Sequence, residues 1–198
     1  MRKVIFATSN EGKMKEIREI LSDMDIELLS LKDAGLKPEI EENGVTFEEN
    51  AIIKAKEVMK LTGEIVLADD SGLEVDFMNK EPGVYSARFM GEDTSYEIKN
   101  QYIIDRLAAA KEEERSARFV CAIACAFPDG KVVTCRRTVE GMIAKQISSG
   151  STGFGYDPIF YVPEFGCTMS DMTAEQKNAI SHRGKALRAM KEMIKEHL

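Results

Sequence analysis

Lysines at helix starts are the residues whose placement first suggests chemistry. Thr8-Ser9-Asn10 offers hydroxyl and amide caps, and Lys13 falls in the first turn of the helix that follows. A cation at that pole costs about 0.3–1 kcal/mol unless an anion shares the site. Unpaired N–H groups, hydroxyls and an ammonium at one helix start form a small phosphate site; the other open reading is a solvated lysine that flexes away. Lys54 lies between Phe47 and Leu61 in the apolar arc of its own helix, where it either finds a partner or snorkels past the core edge. Ser181-His182-Arg183 puts two potential cations in the first turn of the last helix, again against the dipole. One polyanionic ligand touched at all three places explains the repetition.

Two acidic pairs accompany these bases, Glu41-Glu42 in a loop and Asp69-Asp70 at the end of a buried run. Carboxylates of this kind suit Mg2+, which retains waters and is completed by substrate phosphates. The alternative for Asp69-Asp70-Ser71-Gly72 is an ordinary turn. The glycine cluster at 150–157 fits neither GxxxxGK[ST] nor GxGxxG, so it does not support a Walker-type NTPase or a Rossmann oxidoreductase. A Nudix box is absent as well.

The elements that must position these groups are read from composition and periodicity. A chain of 198 residues with 43% hydrophobic content can bury a proper core, as one compact, bilobed unit. Net charge −7 argues against non-specific nucleic-acid or anionic-membrane binding, so an anionic ligand must be met locally. His182 and His197 are too few for most zinc or non-haem iron sites. Cys121, Cys125, Cys135 and Cys167 lack a CxxC pair, which fits free thiols in a reducing cytoplasm. Cys121 and Cys125 read as buried small hydrophobes on one strand face. No apolar run is long enough to cross a bilayer.

The spacing predicts a strand at 3–8 and a helix carrying Met14, Ile17, Ile20 or Leu21, and Met24. "IELLSL" follows as a strand, then a helix opened by a Thr46/Glu49 capping box with Phe47, Ala51, Ala55, Val58 and Met59 inward. The run 64–68 reads as a strand ending at Asp69, and 94–110 as a helix. Two strands at 116–127 and 131–145 are joined by Pro128-Asp129-Gly130. A closing helix from about Ser181 turns Ala186, Leu187, Met190, Met193 and Ile194 inward. The order predicts an α/β protein with a mixed central sheet flanked by helices.

Six blocks in order then carry a resemblance: "ATSNEGK" (7–13), "GVTFEENAIIKA" (44–55), "LADDSGLEVD" (67–76), "PGVYSARF" (82–89), "GFGYDPIF" (153–160) and "ISHRGKAL" (180–187). Together the sequence resembles the inosine triphosphate pyrophosphatase family over nearly its whole length. The resemblance implies hydrolysis of ITP, dITP and XTP to monophosphate and pyrophosphate by a Mg2+-dependent homodimer, with its site in a cleft between two lobes. On the matching positions, Thr8, Ser9, Asn10, Glu11, Gly12 and Lys13 are expected to hold the triphosphate, supported by Lys54. Asp70 is the expected acid-base residue near the metal, Glu41 a further metal contact, and Ser71 a substrate contact. Phe154, Gly155, Tyr156, Asp157, Lys177, His182 and Arg183 are expected around the base and sugar. Ser9 stands where the family commonly has glycine, and Ser151-Thr152 precede Gly153 where Thr-Gly is frequent. Whether Glu41 or Glu42 reaches the metal stays open, because adjacent residues of an extended segment point opposite ways.

Selection of 6-oxo purines over adenine is expected to rest on donors such as Arg183 and His182, with Phe154 stacking on either base. Two other functions stay open at this level. One is a non-catalytic nucleotide-binding or sensing protein, and the other a house-cleaning pyrophosphatase for other modified nucleotides.

Overall fold

The computed structural model describes residues 2–198. Seven strands hydrogen-bond in the order β2-β1-β3-β4-β5-β6-β7. They are β1 (Arg2–Phe6), β2 (Ile26–Ser30), β3 (Ile65–Val75), β4 (Ser116–Ala126), β5 (Val132–Ile143), β6 (Phe160–Val162) and β7 (Cys167–Thr168). β1 pairs in parallel with β2 and β3, whereas β6 pairs antiparallel with β5 and β7, so the sheet is mixed as expected. Among the described residues five α-helices accompany it: α1 (Glu11–Ile20), α2 (Phe47–Thr62), α3 (Tyr96–Arg106), α4 (Ala174–Ile180) and α5 (His182–Ile194).

The chain divides into two compact units, one formed by Met1–Asp70, Cys121–Arg137 and Arg183–Leu198, the other by Ser71–Val120 and Thr138–His182. The first unit has two apolar clusters. One gathers Phe6, Met14, Ile17, Leu67, Ile123, Leu187 and Met190, drawn from strands and from α1 and α5. The other joins Ile5, Val66 and Ala124 to Ala51, Ala55 and Val58 of α2. Ile5 and Phe6 thus serve different clusters, as do Val66 and Leu67, because successive strand side chains point to opposite faces. Helices cover both faces, which explains why these strands read as continuous apolar runs rather than alternating ones. Cys121 and Cys125 lie together in the first cluster, as their spacing predicts. The second unit has its own core, built on Leu73, Ile103, Leu107, Ile159 and Phe160.

Local signals are answered closely at helix starts. Asn10 caps α1, its Oδ1 accepting the Lys13 N–H at 3.0 Å. Thr46 caps α2 by accepting from Glu49 N at 3.1 Å, but the Glu49 carboxylate accepts from Val45 N rather than closing the box on Thr46. Gly63 ends α2 with a left-handed φ of 70°, which a residue with a Cβ adopts only at a cost.

Several expectations are corrected. β3 does not stop at Asp69 but runs through Asp70, Ser71 and Gly72 to Val75. Pairing within the sheet between β1 and β4 holds this stretch as strand instead of turn, and the Leu73 N–H also donates to Ser86 Oγ at 2.9 Å. Met193 is 43% exposed, off the buried stripe of Ala186, Leu187, Met190 and Ile194. Leu61, taken as one flank of the apolar arc around Lys54, is 64% exposed. α3 is shorter than 94–110: Ser95 caps its start at Ile98 N, and after Arg106 the chain passes into turns through Ala110. The short β6, β7 and α4 carry too little periodicity to be read from sequence. No helix among the described residues is long and apolar enough to cross a membrane.

Candidate active site

The first unit brings two groups of charges to the neighbouring residues Asp69 and Asp70 of β3. Asp69 is 2% exposed and accepts from Lys13 Nζ at 3.0 Å and from Arg183 Nε at 3.4 Å. Arg183 Nη1 also reaches Glu16 Oε2 at 3.3 Å, so α1, β3 and α5 meet in one ion-pair network. Burial alone would raise the Asp69 pKa, but Lys13, then Arg183 and Lys54, outweigh it and hold the carboxyl well below the usual range. The anion that Lys13 and Arg183 call for at their helix starts is, in the first instance, this buried carboxylate.

Asp70 lies on the other side of the strand pleat, where its environment reverses its acidity. Burial pushes its carboxyl up to about 6; Lys54 and an Asn50 hydrogen bond pull it down, while Glu42 and Asp69 push it back up. Lys54 Nζ stands 3.3 Å from Glu42 Oε2 and 4.0 Å from Asp70 Oδ1. Lys54 therefore takes partners instead of snorkelling. Glu42, not Glu41, is the acid that reaches this lysine, and Glu41 is exposed. Asn50 Nδ2 donates to Asp70 Oδ2 at 3.1 Å.

The segment before α1 adds backbone donors. Asn10 N–H donates to Thr8 Oγ1 at 3.2 Å, while Ser9, Asn10, Glu11 and Gly12 are exposed at the helix start. Such a first turn presents N–H groups that the helix itself cannot use. Ser71 follows Asp70 directly on β3 and is half-buried.

The second unit holds the remaining expected residues. Phe154 is 71% exposed, with Lys177 Nζ 5.5 Å from its ring centroid. Asp157 is buried and accepts from Lys177 Nζ at 2.5 Å and from Phe154 N–H at 2.9 Å, which fixes the aromatic ring's backbone. Tyr156 differs from expectation: its ring is buried and its hydroxyl donates to Ser86 O at 2.6 Å. Burial raises its phenol above the ordinary value, so it is a supporting residue of the loop. Asn100 Nδ2 donates to Gly155 O at 3.0 Å, and the Tyr96 ring lies against Gly155. His182 stacks on Phe119, with centroids 5.2 Å apart and planes at 13°.

Sequence reasoning did not assign Asp69, Asn50, Glu16 or Asn100. Asp69 had a signal in the doubled aspartate: on a strand, neighbours face opposite ways, so two acids imply two tasks. Asn50 and Asn100 had none beyond being polar residues in helices. A cavity of about 430 Å³ elsewhere in the first unit is lined by Lys3, Phe127, Lys131 and His197 and includes none of the expected site residues.

Gly153 shows how tightly the Phe154 loop is built. Its φ is +87°, and a Cβ there would collide with Asp157 Oδ2 and Lys177 Nζ. Gly153→Ala is expected to cost about 1–3 kcal/mol of stability and to raise KM for a purine triphosphate about tenfold, since the left-handed φ and the Asp157–Lys177 pair both resist a Cβ and the loop must shift. Initial-rate kinetics and a thermal melt check this, and an unchanged KM would show that the loop does not meet the substrate.

Two lysines and an arginine paired with two differently tuned aspartates in an α/β fold form a constellation suited to an enzyme that handles phosphate. The Ham1 family profile matches residues 4–193, and the chain belongs to that family. It is 48% identical over 198 residues to a dITP/XTP pyrophosphatase of Bacillus anthracis, covering 99% of this chain and 98% of the relative. It is 45% identical over 201 residues to a dITP/XTP pyrophosphatase of Clostridium perfringens, covering 98% of each. The solved structure of a HAM1 protein from Coxiella burnetii superimposes with a TM-score of 0.92 at 40% identity, covering 99% of this chain and 100% of the other.

Proposed function

We infer that the protein hydrolyses non-standard purine nucleoside triphosphates (dITP, XTP and ITP) to the monophosphate and pyrophosphate. The observation that carries this reading is the division of labour at Asp69 and Asp70. One carboxylate is locked to Lys13 and Arg183, and the other is poised near neutrality beside Lys54. Full-length similarity to relatives named dITP/XTP pyrophosphatase supports the substrate class.

The roles follow from what each group can do. Thr8 to Lys13 supply N–H, hydroxyl and ammonium donors for phosphate oxygens, and Lys54 adds positive charge beside Asp70. Asp70 accepts a proton from a water as the water oxygen bonds to the α-phosphorus. The bond from that phosphorus to its bridging oxygen breaks, and pyrophosphate leaves with the bond's electron pair. A carboxylate with a pKa near 6 is ionised at neutral pH yet basic enough to take that proton. Phe154 offers the base a stacking face, and His182 and Arg183 remain its proposed polar readers.

We propose Mg2+ as the ion; among the described residues no group of three or more candidate ligands gathers, so substrate phosphates and waters would complete its shell. Asp70 and Glu42 stand on the same lysine, and two carboxylates plus substrate phosphates are the usual ligands of this ion. Asp70 with Glu42, or with Glu41 from the same loop, would hold it. When bound, the ion neutralises phosphate charge and polarises phosphoryl oxygens. We further place the enzyme in the cytoplasm as a homodimer. Free buried thiols at Cys121, Cys125 and Cys135 suit a reducing compartment. Exposed Phe77, Tyr85 and Met90 supply apolar surface for a second copy.

The direct test is pyrophosphate release from a panel including dITP, XTP, ITP, GTP and ATP with Mg2+. Release from the first three at kcat/KM at least about 100-fold above that for ATP is the expected result, the discrimination typical of sites with dedicated hydrogen-bond donors. Orthophosphate as the first product, or equal rates with ATP, would refute the reading.

A further inference from the structure

Asn50 is fully buried in the first turns of α2, and both ends of its amide are engaged with segments that carry acids. Its Oδ1 accepts the Gly44 N–H at 2.9 Å, two residues beyond Glu42. Its Nδ2 donates to Asp70 Oδ2 at 3.1 Å. The assignment of the two ends is forced: only the oxygen can accept from an N–H, and only the nitrogen can donate to a carboxylate. Gly44 approaches so closely that a Cβ on it would lie 2.7 Å from Asn50 Oδ1 and 2.7 Å from Glu49 Cβ. The acidic loop is therefore pressed onto this one side chain.

A buried amide of this kind is costly unless both ends are satisfied, and an apolar residue of similar volume would serve the α2 interface as well. Its position between the two carboxylate sources supplies a reason for its presence. Glu41 and Glu42 sit on an extended loop with no regular element of its own, whereas Asp70 sits on a central strand. Lys54 links Glu42 to Asp70 through long, flexible ion pairs, whereas the short, fully buried Asn50 amide ties the loop backbone itself to Asp70. Second-layer hydrogen bonds to metal-binding carboxylates set ligand orientation, and losing one costs about 10–100-fold in affinity or activity.

We propose that Asn50 is a positioning residue that spans the Gly44 backbone and the Asp70 carboxylate, fixing the spacing at which the 41–44 loop and β3 present their acids to a divalent cation. This rests on the pyrophosphatase reading above. The amide touches neither the nucleotide nor the attacking water; it acts through Asp70 and the loop.

The test uses the full-length protein with Asn50→Leu, which keeps the number of side-chain heavy atoms in a somewhat larger group and loses both bonds, and Asn50→Ala, which leaves room for water. Mn2+ affinity is measured by loss of the free-ion electron paramagnetic resonance signal, with a non-hydrolysable dITP analogue present, and kcat and KM for dITP are measured in parallel. Both variants are expected to melt cooperatively, to bind Mn2+ at least about tenfold more weakly, and to lose kcat about tenfold or more with KM within about threefold. In the Asp70→Asn background, Asn50→Ala is expected to have little further effect on kcat, because the residue it acts through is already gone. Retention of both Mn2+ affinity and kcat within about twofold in either folded variant would overturn the proposal. So would loss of cooperative melting in both, which would assign the amide to folding alone. If wild-type protein releases no pyrophosphate from dITP, the functional reading fails by itself, and the Mn2+ comparison still decides the role of Asn50.

Discussion

Asp70→Asn is expected to lower kcat for dITP hydrolysis by at least about 100-fold, the scale for loss of a positioned general base. The substitution keeps shape and removes the negative charge, and with it the ability to take a proton. Asn50 can still approach the side chain, and Lys54 keeps Glu42 as a partner, so the fold should survive. Burial is the main reason that the Asp70 carboxyl rises to about 6 from its ordinary value of 3.8. The base works ionised, so kcat/KM of the wild type is expected to fall as pH drops through about 6, and that acid limb should vanish in Asp70→Asn. A bound divalent cation moves the limb to lower pH, never higher. Near-normal turnover in the variant, or a limb above pH 7, would remove Asp70 from the role.

The raised pKa also has a sign for stability. Between 3.8 and about 6 the folded protein binds the Asp70 proton more tightly than the unfolded chain does, so this group destabilises the fold as pH rises through that window. The cost of an ionised, buried Asp70 persists at neutral pH. Adding Mg2+ or Mn2+ at pH 8 is therefore expected to raise the melting temperature of wild type more than that of Asp70→Asn.

Asp69→Ala is expected to produce the largest loss of stability, about 3–5 kcal/mol, because it removes one member of a buried ion-pair network and leaves Lys13 and Arg183 facing a void. For a chain of this length that corresponds to a fall of about 10 °C in melting temperature. Its pH sign is opposite to that of Asp70. The folded pKa of Asp69 is depressed, so its contribution is present above 3.8 and lost as pH falls below that value. The gap between wild type and variant should therefore begin to narrow only below pH 3.8, with most of it still present at pH 3. Activity should fall too, since Lys13 and Arg183 lose the carboxylate that holds them. A melting temperature within about 2 °C of wild type at pH 7 would show that the network contributes little.

Much of this was legible in the residues. The parallel strands, α1, α2 and α5 follow from apolar runs and a 3.6-residue period, and Asn10 and Thr46 marked two helix starts with the capping they perform. Lys13, Lys54 and Arg183 stood out because each broke a local rule, and each proved to be tied to an aspartate or glutamate. Less legible was which acid does what. A doubled aspartate reads as a turn as readily as a strand, and the choice depends on pairing with β1 and β4, strands that lie far away along the chain.

Sequence alone determined the kinds of groups present and the elements that carry them, because capping, periodicity and charge-dipole conflict act within a few residues. Tertiary structure alone decided that Asp69 is neutralised while Asp70 is left basic, that Glu42 faces Lys54, and that Tyr156 is interior. Each of these depends on burial and on partners dozens of residues away, and a carboxylate's acidity is set by what surrounds it in space rather than by what adjoins it along the chain.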